Sequence, residues 1–203
     1  MDSGTYNYFL NGQPTGVVES FKIRTLPNGS KFTISTRNAK SFNTTITVKV
    51  IEKHSVFQRV EMRYVNEKRI HSIYKFLENE FLFVHENFQG KTTSETINFP
   101  NNYVFFPLMR CFQGQTILQV AANQDFTTVI VPDIQPSTDI KNFLKPTFDE
   151  RTAKLISERD NLRIFKYLSK NYDDNSEFHL DENGLLVYYK FVQSETQIWE
   201  VRL

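Results

Sequence analysis

Four histidines, one cysteine and three adjacent carboxylate pairs are the residues of this sequence with chemistry to offer. Cys111 is the single cysteine, so it cannot close an intramolecular disulfide. It sits in an apolar run, where a thiol acts as a small hydrophobe rather than a thiolate nucleophile. His54, His71, His85 and His179 lack the close helical spacing of a zinc motif. If the turn after Leu77 is centred near Asn79, Ile73 faces His85 and His71 lies diagonal to it on one face. Glu61 or Asp181 could then complete a metal site. A register slip of one residue removes the pair, and the expectation is two solvated histidines beside Lys75 with no metal bound. The pairs Asp149-Glu150, Asp173-Asp174 and Asp181-Glu182 fall in expected turns, where carboxylates cap backbone N–H groups. No G-x-S-x-G, Walker loop or G-x-G-x-x-G is formed by the 7 glycines, so nucleophilic and phosphate-cradling chemistry lack their usual local markers. No catalytic residue and no cofactor is assigned, and the reading leans away from an enzyme.

The elements that carry these residues read as short strands. Ile46, Val48 and Val50 alternate with Thr45, Thr47 and Lys49, giving one apolar and one wet face. Period-two segments of this kind, cut by Asn11-Gly12, Pro27-Asn28-Gly29 and Asn66-Glu67, signal antiparallel hairpins through the first half. Residues 69–77 and 81–89 flank Glu78-Asn79-Glu80 as another hairpin. In the second half 115–123, 126–131, 151–159, 162–168, 177–180, 185–192 and 197–203 again read as strands. Residues 99–112 carry two prolines and alternate badly, which suggests a loop and short helix lying on the sheet. Residues 132–146 read as a long connection holding one helical turn.

With 203 residues, no repeat and no linker, residues 1–203 are expected to form a single domain around one sheet. So many strands cannot stay flat and open. The expected fold class is mainly β: a strongly curved antiparallel sheet, half-barrel or open barrel, with a short helical lid. Charge is almost balanced, 24 Lys+Arg against 23 Asp+Glu, which argues against nucleic acid as a partner. The apolar clusters fall far short of the roughly 20 residues that span a membrane as a helix. The chain opens without a basic stretch and apolar run, so as given it reads as cytoplasmic; removal of a leader would make it periplasmic.

The aromatic load exceeds what a core needs, with 19 Phe and 9 Tyr. Planar side chains on a curved sheet either line a pocket or plug the interior. The residues placed at such a pocket are Phe81, Phe83, Phe99, Tyr103, Phe105, Phe106, Leu108 and Phe112.

Three stretches carry a resemblance: Gly4-x-Tyr6-x-Tyr8-x-x-Asn11-Gly12-x-x-x-Gly16, Phe99-Pro100-Asn101-Asn102 with Phe106-Pro107-Leu108, and Leu180-Asp181-x-x-Gly184-Leu185-Leu186-Val187. Together they resemble a bacterial family of uncharacterised sheet proteins similar to the outer-membrane lipoprotein carriers. The resemblance implies an unclosed antiparallel barrel covered by a short helical lid, with an apolar hollow between them. Lipoprotein transport does not follow, since the carriers' cargo-handling arginine and loop residues find no match here. The leading expectation is a domain that binds a lipid or other apolar small molecule. The alternatives are a structural or protein-interaction domain with a solid core, its partner unknown, and a lipocalin-like enzyme acting on an apolar substrate.

Overall fold

A computed structural model describes residues 2–123, 126–135, 138–169 and 176–203. Along the chain the strands are β1 (Ser3–Leu10), β2 (Gln13–Thr25), β3 (Lys31–Ala39), β4 (Thr44–Lys53), β5 (Val56–Val65), β6 (Arg69–Phe76), β7 (Glu80–Glu86) and β8 (Thr92–Asn98). Then follow β9 (Tyr103–Phe105), helix α1 (Arg110–Ala121), β10 (Thr127–Pro132), β11 (Pro146–Arg159), β12 (Leu162–Ser169), β13 (Ser176–Leu180), β14 (Leu186–Ser194) and β15 (Gln197–Arg202). The strand order is β8-β7-β6-β5-β4-β3-β2-β1-β15-β14-β13-β12-β11-β10-β9. It is a meander broken only by the pairing of the first strand with the last, and it is not closed, because β8 and β9 are its two edges. The mainly antiparallel sheet with one helix is as the alternation indicates; β9 alone is seen to run parallel to its neighbour, β10.

Two compact units divide the chain, the first made of Glu19–Pro100, Pro132–Thr147 and the residues up to Gly4, the second of Thr5–Val18, Asn101–Val131 and Phe148–Leu203. In the first, one face of the sheet is buried strand by strand: Ile46, Val48 and Val50 on β4, Val60, Met62 and Tyr64 on β5, Ile70 and Tyr74 on β6, Phe81 and Phe83 on β7. Strand β3 turns its polar set inward, burying Thr33 and Ser35 while Phe32 and Ile34 stay half-buried on the other face. Beside them Glu19 of β2 is fully buried and accepts two hydrogen bonds from Arg37, at 3.0 and 2.8 Å. A paired carboxylate can occupy the interior where an unpaired one would be expelled or neutralised.

In the second unit the helix corrects the strand expected over 115–123. Its lid begins only at Arg110 and runs to Ala121, burying Phe112, Thr116, Ile117 and Val120 on one side. Period two and period 3.6 are hard to tell apart over so short a run as Thr116-Ile117-Leu118-Gln119-Val120. Gly114 permits the close approach: a Cβ there would lie 2.0 Å from the carbonyl oxygen of Gly184. Gly184 itself sits at φ +79°, in the turn where Asp181 Oδ1 accepts from the N–H groups of Asn183 and Leu185.

Candidate functional site

The first unit's buried face is built from alternate residues of four neighbouring strands, and residues 138–145 of the connection after β10 lie against it. The loop's base is closed by Asp133 N–H donating to the Lys145 carbonyl and Leu144 N–H donating to that of Asp133. Asp133 further accepts from the Gln135 N–H and the Thr138 hydroxyl, and Asp139 caps the single turn Ile140–Asn142 through the Lys141 N–H. So much local bonding preforms the described residues 133–135 and 138–145.

Two side chains of the sheet hold them down. The Tyr74 hydroxyl donates to the Leu144 carbonyl at 2.5 Å. His85 Nε2 lies 3.1 Å from the Lys141 carbonyl, and its Nδ1 lies 3.0 Å from Ser72 Oγ. A carbonyl only accepts, so Nε2 carries the proton and Nδ1 accepts from the serine hydroxyl. Burial depresses the His85 pKa, the bond to Lys141 opposes that, and the Lys145 charge depresses it further, leaving a neutral ring. The Tyr74 hydroxyl is pushed well above its ordinary pKa by burial alone. A serine bonded to a neutral imidazole has the form of an activated nucleophile, but Ser72 is wholly buried, so here the pair serves as a latch.

Leu144 is completely buried at φ +62°. A branched residue pays about 1–3 kcal/mol for that conformation and keeps it only where its surroundings over-determine it. Phe143 meets the Tyr64 ring edge-on at 5.2 Å. Leu108 in the second unit repeats the pattern, buried at φ +64° just ahead of α1.

The eight residues expected at a pocket divide between the units. In the first, Phe83 is buried directly opposite Tyr74 on the neighbouring strand and Phe81 diagonal to it, with ring centroids 5.0 and 5.8 Å away, and Phe99 packs on Phe81 at 5.6 Å and stacks on Phe76 at 6.2 Å. In the second, Phe105, Leu108 and Phe112 are buried, Phe106 is half-buried and Tyr103 is exposed. Phe105 sits opposite Ile130 in the parallel β9–β10 pair, and the Phe106 N–H donates to the Ile130 carbonyl. At the start of α1, Arg110 stacks over Tyr189 at 4.5 Å and reaches Gln113 Oε1 at 3.3 Å.

His71 and His85 do not share a face. The β6–β7 register pairs Ser72 with His85 and His71 with Glu86, one residue away from the arrangement that would align them. His71 instead lies 3.3 Å from Glu61. Burial pushes the Glu61 pKa up, yet the charges of Lys49, His71 and Arg59 outweigh it and hold the carboxyl below its usual value. Among the described residues no three metal-ligating side chains cluster. Asp181 does cap its turn, whereas Asp149 and Glu150 lie within β11, Asp149 accepting from Arg151 and Ser169. Asp173 and Asp174 lie outside the described residues.

Sequence reasoning missed the latch. Ser72, Tyr74 and His85 carry no motif, and the one available signal was a long connection holding Ile140, Phe143 and Leu144, since long loops without structure of their own are uncommon in compact domains.

No protein family and no curated protein matches the sequence, and among the described residues no helix is long and apolar enough to cross a membrane. Among the solved structures similar to this chain is the beta-barrel-like protein of domain of unknown function DUF1849 from Brucella abortus. It aligns with 99% of this chain and 94% of its own, at a TM-score of 0.56 and 10% sequence identity. At that identity the likeness is one of fold, a large mainly antiparallel sheet not closed into a barrel, and no link to the lipoprotein carriers comes with it.

Proposed function

We propose that the protein is a non-enzymatic binding domain in which an acyl chain or similar apolar ligand takes the place of residues 138–145 on the first unit's aromatic face. The observation that carries the reading is Leu144, a fully buried side chain in a left-handed conformation, whose carbonyl is held to the sheet by the Tyr74 hydroxyl. Backbone strain of about 1–3 kcal/mol at that residue lowers the cost of its leaving. Tyr74, Phe81, Phe83 and Phe99 would then form the wall against the ligand, as apolar pockets are mostly aromatic and aliphatic with a few polar groups to orient the guest. Leu108, Phe105, Phe106, Phe112 and Tyr103 would play the corresponding part in the second unit.

The rival reading, a solid scaffold for protein contacts, is favoured by Tyr74, Phe81, Phe83 and Met62, which already fill the buried face. Titration with a fluorescent fatty acid separates the two. Binding is expected to saturate in the parent protein and to tighten in Tyr74→Phe, because loosening the loop raises the fraction of chains able to accept the ligand. Hydrogen exchange at residues 140–145 should quicken when the fatty acid is bound. Absence of binding in both proteins would leave the scaffold.

A further inference from the structure

β11 has 14 residues and its neighbour β10 has 6. Counting back antiparallel from the bonds at Asp133, Leu144 and Lys145 sets Thr127, the first residue of β10, opposite about Arg151. Residues 152–159 pair with β12 on one side, from Thr152 with Leu168 to Arg159 with Leu162. On the other side they meet no strand among the described residues. Lys154, Leu155, Ile156, Ser157, Glu158 and Arg159 are all exposed, Leu155 at 43% and Ile156 at 45%. The other long edge is different: β8 reads Thr-Thr-Ser-Glu-Thr-Ile-Asn, the polar composition that keeps edges from pairing.

Charge decides what could pair here. Residues 152–166 hold Lys154, Arg159, Arg163 and Lys166 against Glu158 and Asp160, a net charge of +2 in a chain whose total is +1, while Arg151 just before them is paired with Asp149. A second copy of this edge would be repelled, and an acidic strand attracted. Beside the edge lies an open groove of about 470 Å³ lined by Glu158, Arg159, Asn161, Leu162, Arg163 and Glu182.

We propose that the free edge of β11 over 152–159 is a docking site for an extended acidic segment of a partner protein, which adds to the sheet as a further strand. Backbone bonds would supply affinity and side chains specificity, as in other strand additions. Leu155 and Ile156 take apolar side chains, and Lys154 and Arg159 take carboxylates.

The test uses a labelled peptide alternating glutamate with valine and its lysine–valine counterpart. The acidic peptide is expected to bind saturably, to weaken as salt rises, and to slow amide exchange across 152–159. The double variant Lys154→Glu, Arg159→Glu should melt like the parent, its sites being exposed, and bind roughly tenfold more weakly. Comparison of the two peptides on the parent protein needs no variant. Equal binding of the lysine peptide, no binding of either, binding without protection at 152–159, or full affinity in the folded double variant would each overturn the proposal.

Discussion

Replacing Gly114 by alanine pits two effects of opposite sign against each other. Alanine in a helix interior gains about 1 kcal/mol over glycine. Its Cβ, however, would lie 2.0 Å from Gly184 O, 3.1 Å from Gly184 C and 3.2 Å from Leu180 Cδ2, where carbon contacts normally settle near 3.5 Å. The obstacle is backbone, and that backbone is tied: the Gly184 N–H donates to the Asp181 carbonyl at 3.0 Å, and Asp181 Oδ1 accepts from Asn183 and Leu185. With no flexible side chain to yield, α1 must lift away from Phe112, Ile117 and Val120's present partners. Overpacking costs about 1–3 kcal/mol; taking the upper end and subtracting the helix gain leaves a loss of about 2 kcal/mol. In a chain of this length that lowers Tm by about 4–8 °C. Circular-dichroism melting of Gly114→Ala beside the exposed-site control Gln119→Ala, expected within about 0.5 kcal/mol of the parent, makes the measurement. A Gly114→Ala protein melting at or above the parent temperature would refute the close helix–turn contact.

Two further outcomes follow from buried polar groups. Because His85 has a depressed pKa in the fold, the unfolded chain binds its proton first; stability is full above the unfolded value near 6.5 and declines as pH falls from there toward the lower folded value. His179, depressed by burial as well, adds a slope of the same sign. Denaturant melts between about pH 5 and 8 should therefore give a flatter profile for His85→Gln than for the parent, and an unchanged profile would contradict the latch. Glu19→Ala strands Arg37 beside a buried void and should cost about 3–5 kcal/mol in the same melts; a loss below about 1 kcal/mol would show that the pair is not buried as described.

The legible part of this fold lay in strands with one dry face. Ile46, Val48 and Val50, or Phe81 and Phe83, announce themselves because burial on one side imposes period two on residue type. Strand β3 kept the period but reversed the face: Thr33 and Ser35 are buried opposite Val50 and Val48 of β4, an inward polar set that alternation cannot foresee. β8 escaped notice because an edge strand exposed on both faces needs no apolar residue at all. Helix α1 was hidden by β-branched residues whose helical conformation is imposed by packing on the 181–184 turn. For the candidate site the aromatic residues were visible in composition, and the connection that lies against them was visible only as length. Its attachment rests on a tyrosine and a histidine that bond to Leu144 and Lys141, 70 and 56 residues further along the chain, which local pattern does not encode.

The pairing of β1 with β15 orders events in time. Tyr6 donates to the carbonyl of Leu186 across 180 positions, and Asn11 accepts from Ile198 across 187, whereas β3 to β8 zip up through hairpins closed by only a few residues. Closing a long loop costs entropy that later contacts must offset, and pairings distant in sequence are the slow ones in folding. A chain emerging from the ribosome can therefore pair β3 to β8 with one another while β1 still waits, its edge open, for β15 to be synthesised. The β1–β15 seam is thus a late step of assembly, and an unpaired strand edge of this kind is where misassembly starts and chaperones act.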